Sequence, residues 1–137
     1  MQAHDWFRPV AAVVGAVLSY LFGGWNALLG VLLAFVVADY ATGVLAAAVE
    51  GRLSSAVGMR GIARKVMIFL IVALAHLADT VLGDSHMIRD ATIFWYIANE
   101  LLSIVENAGR IGVPIPPAIS RAVEILRGKG EGQATER

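Results

Sequence analysis

Apolar residues are gathered into four runs along the chain, separated by short polar segments. The runs cover about residues 10–22, 27–49, 66–82 and 91–108. A helix rises about 1.5 Å per residue, so about 20 residues are needed to cross a hydrocarbon core of about 30 Å. The second run exceeds this length, the third and fourth come close to it, and the first is short. The pattern predicts an all-α integral membrane protein with three to four transmembrane helices.

The first run leaves the number of spans open. It reaches only from Pro9 to Phe22, which corresponds to about 21 Å of helix. It either crosses a locally thinned membrane or extends back through Trp6 and Phe7, whose rings suit the membrane interface. Alternatively it lies in the interface, which leaves three spans. A cleaved signal peptide is a further interpretation, but Asp5 weakens the basic start that such a peptide needs.

Basic residues fall mainly on two segments. The segment 50–65 contains four Lys or Arg residues and the segment after residue 108 contains five, whereas the segment 83–90 contains one. Lys and Arg in short loops stay in the cytoplasm, so four spans with both termini inside satisfy this rule. With the first run in the interface, the N-terminus would face outward. Glycines predict a connector at 50–65, with Arg64 and Lys65 anchored at lipid headgroups.

The chain changes character after the fourth run. Three prolines between residues 113 and 117 prevent the helix from continuing. A short amphipathic helix is predicted at about 118–127, and the last residues, 128–137, are predicted to form a flexible polar tail. Residues 1–127 are therefore expected to form a single membrane domain.

Composition narrows the possible functions. Hydrophobic residues make up 58% of the chain, charged residues 16%, and the formal net charge is zero. This excludes a disordered protein and gives no electrostatic basis for binding nucleic acid. Without cysteine there is no disulfide or thiolate nucleophile. His76 and Asp79 are neighbours at helical spacing, but metal sites usually need three protein ligands. No catalytic residue, metal or cofactor is predicted.

Polar residues of the fourth run lie on one side of its helix. At about 100° per residue, eight of them fall within about 120° of arc. This polar stripe consists of Thr92, Tyr96, Asn99, Glu100, Ser103, Glu106, Asn107 and Arg110. A carboxylate in hydrocarbon costs about 2.5–3.5 kcal/mol, so the stripe must meet water or protein.

Two interpretations of the polar stripe follow. It could be buried against polar groups of the other spans, for which Asp39, His76 and Asp79 are the candidates. Alternatively, several copies of the fourth helix surround a water-filled lumen that the stripe lines. We favour the lumen, because four small helices enclose no cavity and the stripe offers more acceptors than the candidate partners can pair.

Small residues recur every four positions in the second run and therefore share one side of its helix. These residues are Gly30, Ala34, Ala38, Thr42 and Ala46. Small side chains permit close approach of a neighbouring membrane helix, so this side is predicted to pack against another helix. The pattern does not determine whether that helix belongs to the same chain.

Several motifs together resemble the bacteriophage holins of the toxin-secretion and phage-lysis type. The motifs are DYATG at 39–43, GRLSS at 51–55, GxxGIxxK at 58–65, YIANExxSIxEN at 96–107 and GVPIP at 112–116. The resemblance extends from about Leu29 to Leu126. Eight residues match the family at single positions: Asp39, Thr42, Gly43, Asn99, Glu100, Ser103, Glu106 and Asn107. The matches at Asp39 and Gly43 add these two residues to the predicted packing side of the second helix.

The resemblance implies a small protein that oligomerises with itself in the inner membrane of a bacterial host. Its lesions would let a cytoplasmic endolysin, or in some relatives a toxin, cross the membrane, without direct contact between the two proteins being implied. Two alternatives remain open from the residues alone. One is a small-ion or proton channel that uses Glu100, Glu106 and His76, and the other is a non-conducting membrane scaffold.

Overall fold

The computed structural model describes residues 5–83 and 85–125, and this part of the chain is all-helical, as predicted. Four long helices are α1 (Phe7–Phe22), α2 (Ala27–Val49), α3 (Ser55–Leu82) and α4 (Met87–Ile111). Residues 117–125 form α5 within the described region. The predicted polar tail at 128–137, and the end of the predicted amphipathic helix, lie outside the described residues.

Two of the helices meet the length and apolarity that a membrane span requires. They are α2, with 23 residues, and α3, with 28 residues. The 25-residue α4 is long enough but carries the polar stripe. The apolar α1 has 16 residues. It is two residues longer than the predicted helix, because it begins at Phe7 and not at Pro9.

Polar residues next to the apolar runs set the helix boundaries. The Asn26 side chain accepts a hydrogen bond of 2.8 Å from the Leu29 amide at the start of α2. Ser54 does the same for the Val57 amide at 3.2 Å. Each side chain satisfies a backbone donor that has no partner within the first helical turn. Gly23, with a φ of 74°, ends α1 in the left-handed conformation that glycine adopts at low cost.

The predicted connector at 50–65 is wrong over most of its length, because α3 already begins at Ser55. Ser54 provides the cap that starts the helix. Glycine inside the helix serves close packing here: a Cβ at Gly61 would lie 3.2 Å from Cε2 of Tyr40. Only the short segment between α2 and Ser55 remains a turn.

The core lies where α2, α3 and α4 meet. Its buried apolar residues are Leu29, Leu32, Val36, Ile68, Val72 and Ile93. The most extensive helix pair is α2 with α4, and α3 packs on both. Within the described part of the chain, α1 contributes no buried residue and rests mainly against α3.

The outward faces of the helices are apolar. Large hydrophobic side chains are exposed on every long helix, including Val13 on α1, Val37 on α2, Leu74 on α3 and Phe94 on α4. Contiguous apolar surface of this kind is rare on soluble monomers and marks contact with lipid or protein. The bundle thus presents apolar side chains on its outside as well as in its core.

Candidate functional site

Charged side chains from three helices meet inside the bundle. We call Asp39 of α2, Lys65 of α3, and Glu100 and Asn107 of α4 the ion cluster. The Lys65 amine donates to Oε2 of Glu100 at 2.6 Å and also pairs with Oδ2 of Asp39. Glu100 is only 5% exposed and Asp39 9%. One cation thus links two buried carboxylates, one on each neighbouring helix.

Asn107 completes the ion cluster from the next turns of α4. Its Nδ2 donates to Oδ1 of Asp39 at 2.9 Å and to the Asp39 carbonyl at 3.2 Å. The same nitrogen lies 3.0 Å from Oγ1 of Thr42, whose hydroxyl donates to the Ala38 carbonyl at 2.8 Å. Asp39 therefore receives donors from both α3 and α4, which satisfies both of its oxygens.

The ion cluster lies well inside the helices. Asp39 is twelve positions from the start of α2 and Glu100 is thirteen from the start of α4, or about 18–20 Å along each axis. Charges at such depth are normally paired with one another or face water. The cluster achieves pairing within a single chain.

A polar cleft opens from the ion cluster toward the N-terminal end of α3. It has a volume of about 380 Å³ and lies between α2, α3 and α4. We call it the basic cleft, because four basic and two acidic residues line it: Arg60, Arg64, Lys65 and Arg110, with Asp39 and Glu106. Ser103 also lines it. Ser103 and Glu106 of the polar stripe therefore border a cavity large enough to hold water.

An exposed ion pair lies beside the basic cleft. Arg110 donates from Nε to Oε1 of Glu50 at 2.9 Å and from Nη2 to Oε2 at 3.0 Å. This two-pronged bond ties the end of α4 to the end of α2. The Arg110 hydrogen bonds lower the pKa of the Glu50 carboxyl below its ordinary value.

The eight residues of the polar stripe have different surroundings in the single chain. Glu100 and Asn107 are buried in the ion cluster, and Ser103 and Glu106 line the basic cleft. Tyr96 is half-buried against the core. Thr92 donates to the Ile88 carbonyl, the exposed Asn99 donates to the Trp95 carbonyl, and Arg110 is exposed.

Lys65 was absent from the predicted partners of the polar stripe. The expectation that Lys65 lies at lipid headgroups is wrong, because the structure places its amine between two buried carboxylates. The signal that could have found it is Ser54. A helix that begins after a Ser54 cap puts Lys65 about 15 Å inside it.

The predicted packing side of α2 is partly occupied by α4 of the same chain. Ala46 is fully buried, and a Cβ at Gly43 would lie 3.5 Å from Nδ2 of Asn107. Toward the other end of α2, Gly30 lies beside the Trp25 ring and Ala34 is exposed. Asp39, Ala38 and Thr42 lie between these two ends and belong to the hydrogen-bond network described above.

His76 and Asp79 lie at the opposite end of α3 from the basic cleft, away from Glu100. The Asp79 carboxylate accepts from the backbone amides of Ile88 at 3.0 Å and Arg89 at 2.8 Å. It therefore caps the start of α4 from the end of α3. The expectation that Asp79 pairs with the polar stripe is not met in this structure.

Arg89 connects this region to α1. Its Nη1 donates to the Phe22 carbonyl at 2.9 Å, and the side chain is buried. A Cβ at Gly23 would lie 2.7 Å from Cε1 of His76 and 2.8 Å from Nη1 of Arg89. We call the group Phe22, His76, Asp79 and Arg89 the α1–α4 junction. Arg89 was not predicted as a site residue, although it is the single basic residue of its segment.

Comparison with known proteins places this arrangement in a family. The model of the bacteriophage holin family matches residues 16–128, a region that includes the ion cluster, the basic cleft and the α1–α4 junction. The chain belongs to the bacteriophage holin family. Holins are non-enzymatic membrane proteins, and the resemblance seen in the sequence motifs is confirmed.

Relatives of this holin-family chain occur in bacteria and in a phage. An uncharacterized protein of Halalkalibacterium halodurans is 50% identical over 86% of this chain and 91% of its own length. An uncharacterized protein of Listeria innocua is 47% identical over 84% of this chain and 82% of its own length. A protein of Bacillus phage phi105 that carries the name "Probable holin" is 36% identical over 87% of each chain. No solved structure matches the chain.

Proposed function

We propose that this protein oligomerises in the cytoplasmic membrane of a bacterial host and opens lesions through which an endolysin or toxin crosses. Membership of the holin family supports the class of function. The main structural support is the ion cluster. Its charged groups lie about halfway along α2 and α4, inside a bundle whose outer surface is apolar.

The arrangement suggests how lesions could form. Lys65 bonds both Asp39 and Glu100 within one chain, so each buried carboxylate of the isolated protein has a cationic partner when the chain enters lipid. When copies accumulate, the polar stripe of α4 can exchange these contacts for water and for neighbouring chains. Glu106 and Ser103 already border the basic cleft, which gives water a route to the stripe.

Self-association has a suitable surface on α2. Ala34 is exposed and Gly30 half-buried on the side that the sequence predicts to pack. A second copy could approach closely at Ala34, whereas Gly43 lies against Asn107 of α4 in the same chain and Ala46 is already buried. We propose four spans with both termini in the cytoplasm, the arrangement that places the turn before Ser55, the first turns of α3 with Arg60, and the segment after α4 on the basic, cytoplasmic side.

Expression in bacteria with and without a cytoplasmic muralytic enzyme tests the proposal. Abrupt lysis is expected only when both proteins are present, because a large lesion releases the enzyme to the cell wall. Depolarisation without lysis would support the small-ion or proton channel, and neither effect would support the scaffold. Either result would contradict the proposed release of protein.

A double variant assigns the effect to the polar stripe. Glu100→Leu with Glu106→Leu is expected to insert normally, since Lys65 retains Asp39 as a partner, and to lose lysis. The matched control is Asp5→Leu with Glu124→Leu, which removes two exposed carboxylates outside the stripe and should lyse normally. Undiminished lysis by the first variant would refute the role of the stripe.

A further inference from the structure

A second surface on α2 and α3 combines an apolar groove with exposed positive charge. The groove has a volume of about 460 Å³ and lies between the two helices. It is lined by Val36, Val37, Ala41, Ile62, Val66 and Phe69, together with Tyr40 and Lys65. Tyr40 and Lys65 also line the basic cleft, and Tyr40 packs against Gly61 of α3, so these two side chains stand between the groove and the cleft.

Arg60 and Arg64 supply the charge at the mouth of the basic cleft. They are four residues apart on α3, which places both on the same side of the helix. Both are exposed, whereas Arg110 is bound by Glu50 and Lys65 is bound by Asp39 and Glu100. Two adjacent guanidinium groups are well suited to a phosphate, which they can bind with paired hydrogen bonds.

The order of these features along α3 fits one amphiphilic molecule. Arg60 and Arg64 precede Lys65, and the apolar part of the groove continues to Phe69, about 7.5 Å beyond Arg64 along the axis. Around α3 the two arginines lie about 120–180° from Ile62, Val66 and Phe69, so a lipid bound at both places would straddle the N-terminal turns of the helix, with its phosphate at the arginines and an acyl chain in the groove. Basic pockets between membrane helices at the cytoplasmic side recognise anionic headgroups in this way.

We propose that this composite surface binds an anionic phospholipid, with its phosphate at Arg60 and Arg64 and one acyl chain between α2 and α3. The proposal rests on the membrane placement and orientation given under the proposed function, but not on lesion formation. The lipid would seal the basic cleft, next to Lys65 and the ion cluster. Its occupancy would then couple the lipid composition of the cytoplasmic leaflet to the state of that cluster.

Photolabelling of the full chain in nanodiscs tests this site. The discs contain equal amounts of phosphatidylglycerol and phosphatidylcholine. One preparation includes a phosphatidylglycerol analogue that carries a diazirine on the acyl chain, and a second preparation includes the corresponding phosphatidylcholine analogue. Mass spectrometry then maps the labelled residues. We expect the anionic analogue to label the groove around Ala41 and Val66 at about fivefold or more over the zwitterionic one, as two arginines near a phosphate predict.

Two variants separate the headgroup from the acyl chain. Arg60→Gln with Arg64→Gln is expected to equalise labelling by the two lipids, while Arg52→Gln with Arg121→Gln removes two exposed arginines outside the cleft and should keep the preference. Ala41→Trp fills the groove and should reduce groove labelling by both lipids. Equal labelling in the wild type, or an unchanged preference after loss of Arg60 and Arg64, would overturn the proposal.

Free phosphate is distinguished from a lipid by competition. Inorganic phosphate and glycerol 3-phosphate at millimolar concentration should leave the labelling unchanged, because neither fills the groove. Displacement by either compound would identify a soluble phosphate ligand and overturn the lipid assignment. Labelling requires no leakage, so a protein that binds the lipid but causes no lysis would contradict only the proposed function. Absence of labelling by both lipids would contradict the membrane placement and this site together.

Discussion

The ion cluster and the α1–α4 junction are both buried and polar, but they differ in the groups that Asp39 and Asp79 bind. Asp39 is paired with the Lys65 side chain, whereas Asp79 accepts from two backbone amides of α4. Side-chain partners can be exchanged for water or for another chain by a change of rotamer. Backbone donors at a helix start move only with the helix. The junction is therefore suited to fix the bundle, and the ion cluster to rearrange.

The two regions also differ in how their cations are used. Lys65 links two carboxylates, so its charge is matched by acids on two different helices. Arg89 instead donates to the Phe22 carbonyl at the end of α1, where a helix offers partial negative charge, and its Nε pairs with Asp90. Loss of Lys65 would leave two like charges close together in a buried site. Loss of the Arg89 contact would leave one carbonyl without its donor.

Lys65→Met is expected to have the largest effect on stability. Breaking a buried ion pair costs about 3–5 kcal/mol, because the remaining charge is left uncompensated. The mole fraction of dodecyl sulfate at half-unfolding, followed by circular dichroism in mixed micelles, should fall accordingly. Arg64→Met is the matched control, since it removes an exposed charge from the neighbouring position, and it should change stability little.

A compensated variant tests whether the loss comes from charge. Adding Asp39→Asn and Glu100→Gln to Lys65→Met removes both uncompensated carboxylates and should restore most of the stability. The result is informative even if Lys65→Met alone fails to fold. If Lys65→Met were no less stable than Arg64→Met, or if the added substitutions restored nothing, the ion cluster would not hold α2, α3 and α4 together.

The contrast between Asp39 and Lys65 shows what the sequence could predict. A single acid within an apolar run is visible without a structure, and Asp39 was recognised as a possible partner of the polar stripe on α4. Lys65 lies at the edge of an apolar run, where basic residues usually anchor at the membrane surface. Its assignment to the ion cluster depends on where α3 begins and on how three helices pack, and the second of these cannot be read from one sequence.

The helices follow from local properties of the sequence, whereas the α1–α4 junction does not. Apolar runs and the periodicity of the polar stripe predicted the four long helices, because helix period and span length are local properties. The junction depends on contacts between residues as far apart in sequence as Phe22 and Arg89. Asp79 was expected to meet the polar stripe because both lie within apolar runs, but it lies near the start of α4 and binds that helix's amides instead.

Asp79→Asn is expected to have the second-largest effect, confined to the α1–α4 junction. The amide side chain keeps one acceptor but turns an NH₂ group toward the other backbone donor, so one of the two cap bonds is lost. Hydrogen exchange at the Ile88 and Arg89 amides should accelerate, while exchange around the ion cluster stays unchanged. Asp90→Asn is the matched control, because it removes a carboxylate from the same turn and leaves both cap bonds intact.

Equal acceleration in the two variants would show that charge at the start of α4, and not the Asp79 cap, protects these amides. Acceleration that spread to residues around Asp39 would show that the junction and the ion cluster unfold as one unit. That second result would remove the distinction between a fixed and an exchangeable region on which the comparison depends.

Glu50→Gln is expected to have the smallest effect, because the Glu50–Arg110 pair is exposed and solvent weakens it. The pair lowers the pKa of Glu50 in the folded protein, so its contribution is present above the ordinary glutamate pKa. The contribution is lost as pH falls through the lower pKa of the folded state. Unfolding midpoints of the wild type and of Glu50→Gln should therefore differ slightly at pH 7 and converge in acid. Glu124→Gln removes an exposed carboxylate elsewhere and should follow the wild type across the whole range. A difference between wild type and Glu50→Gln that grew on acidification would mean that Arg110 does not stabilise the ionised Glu50 carboxyl.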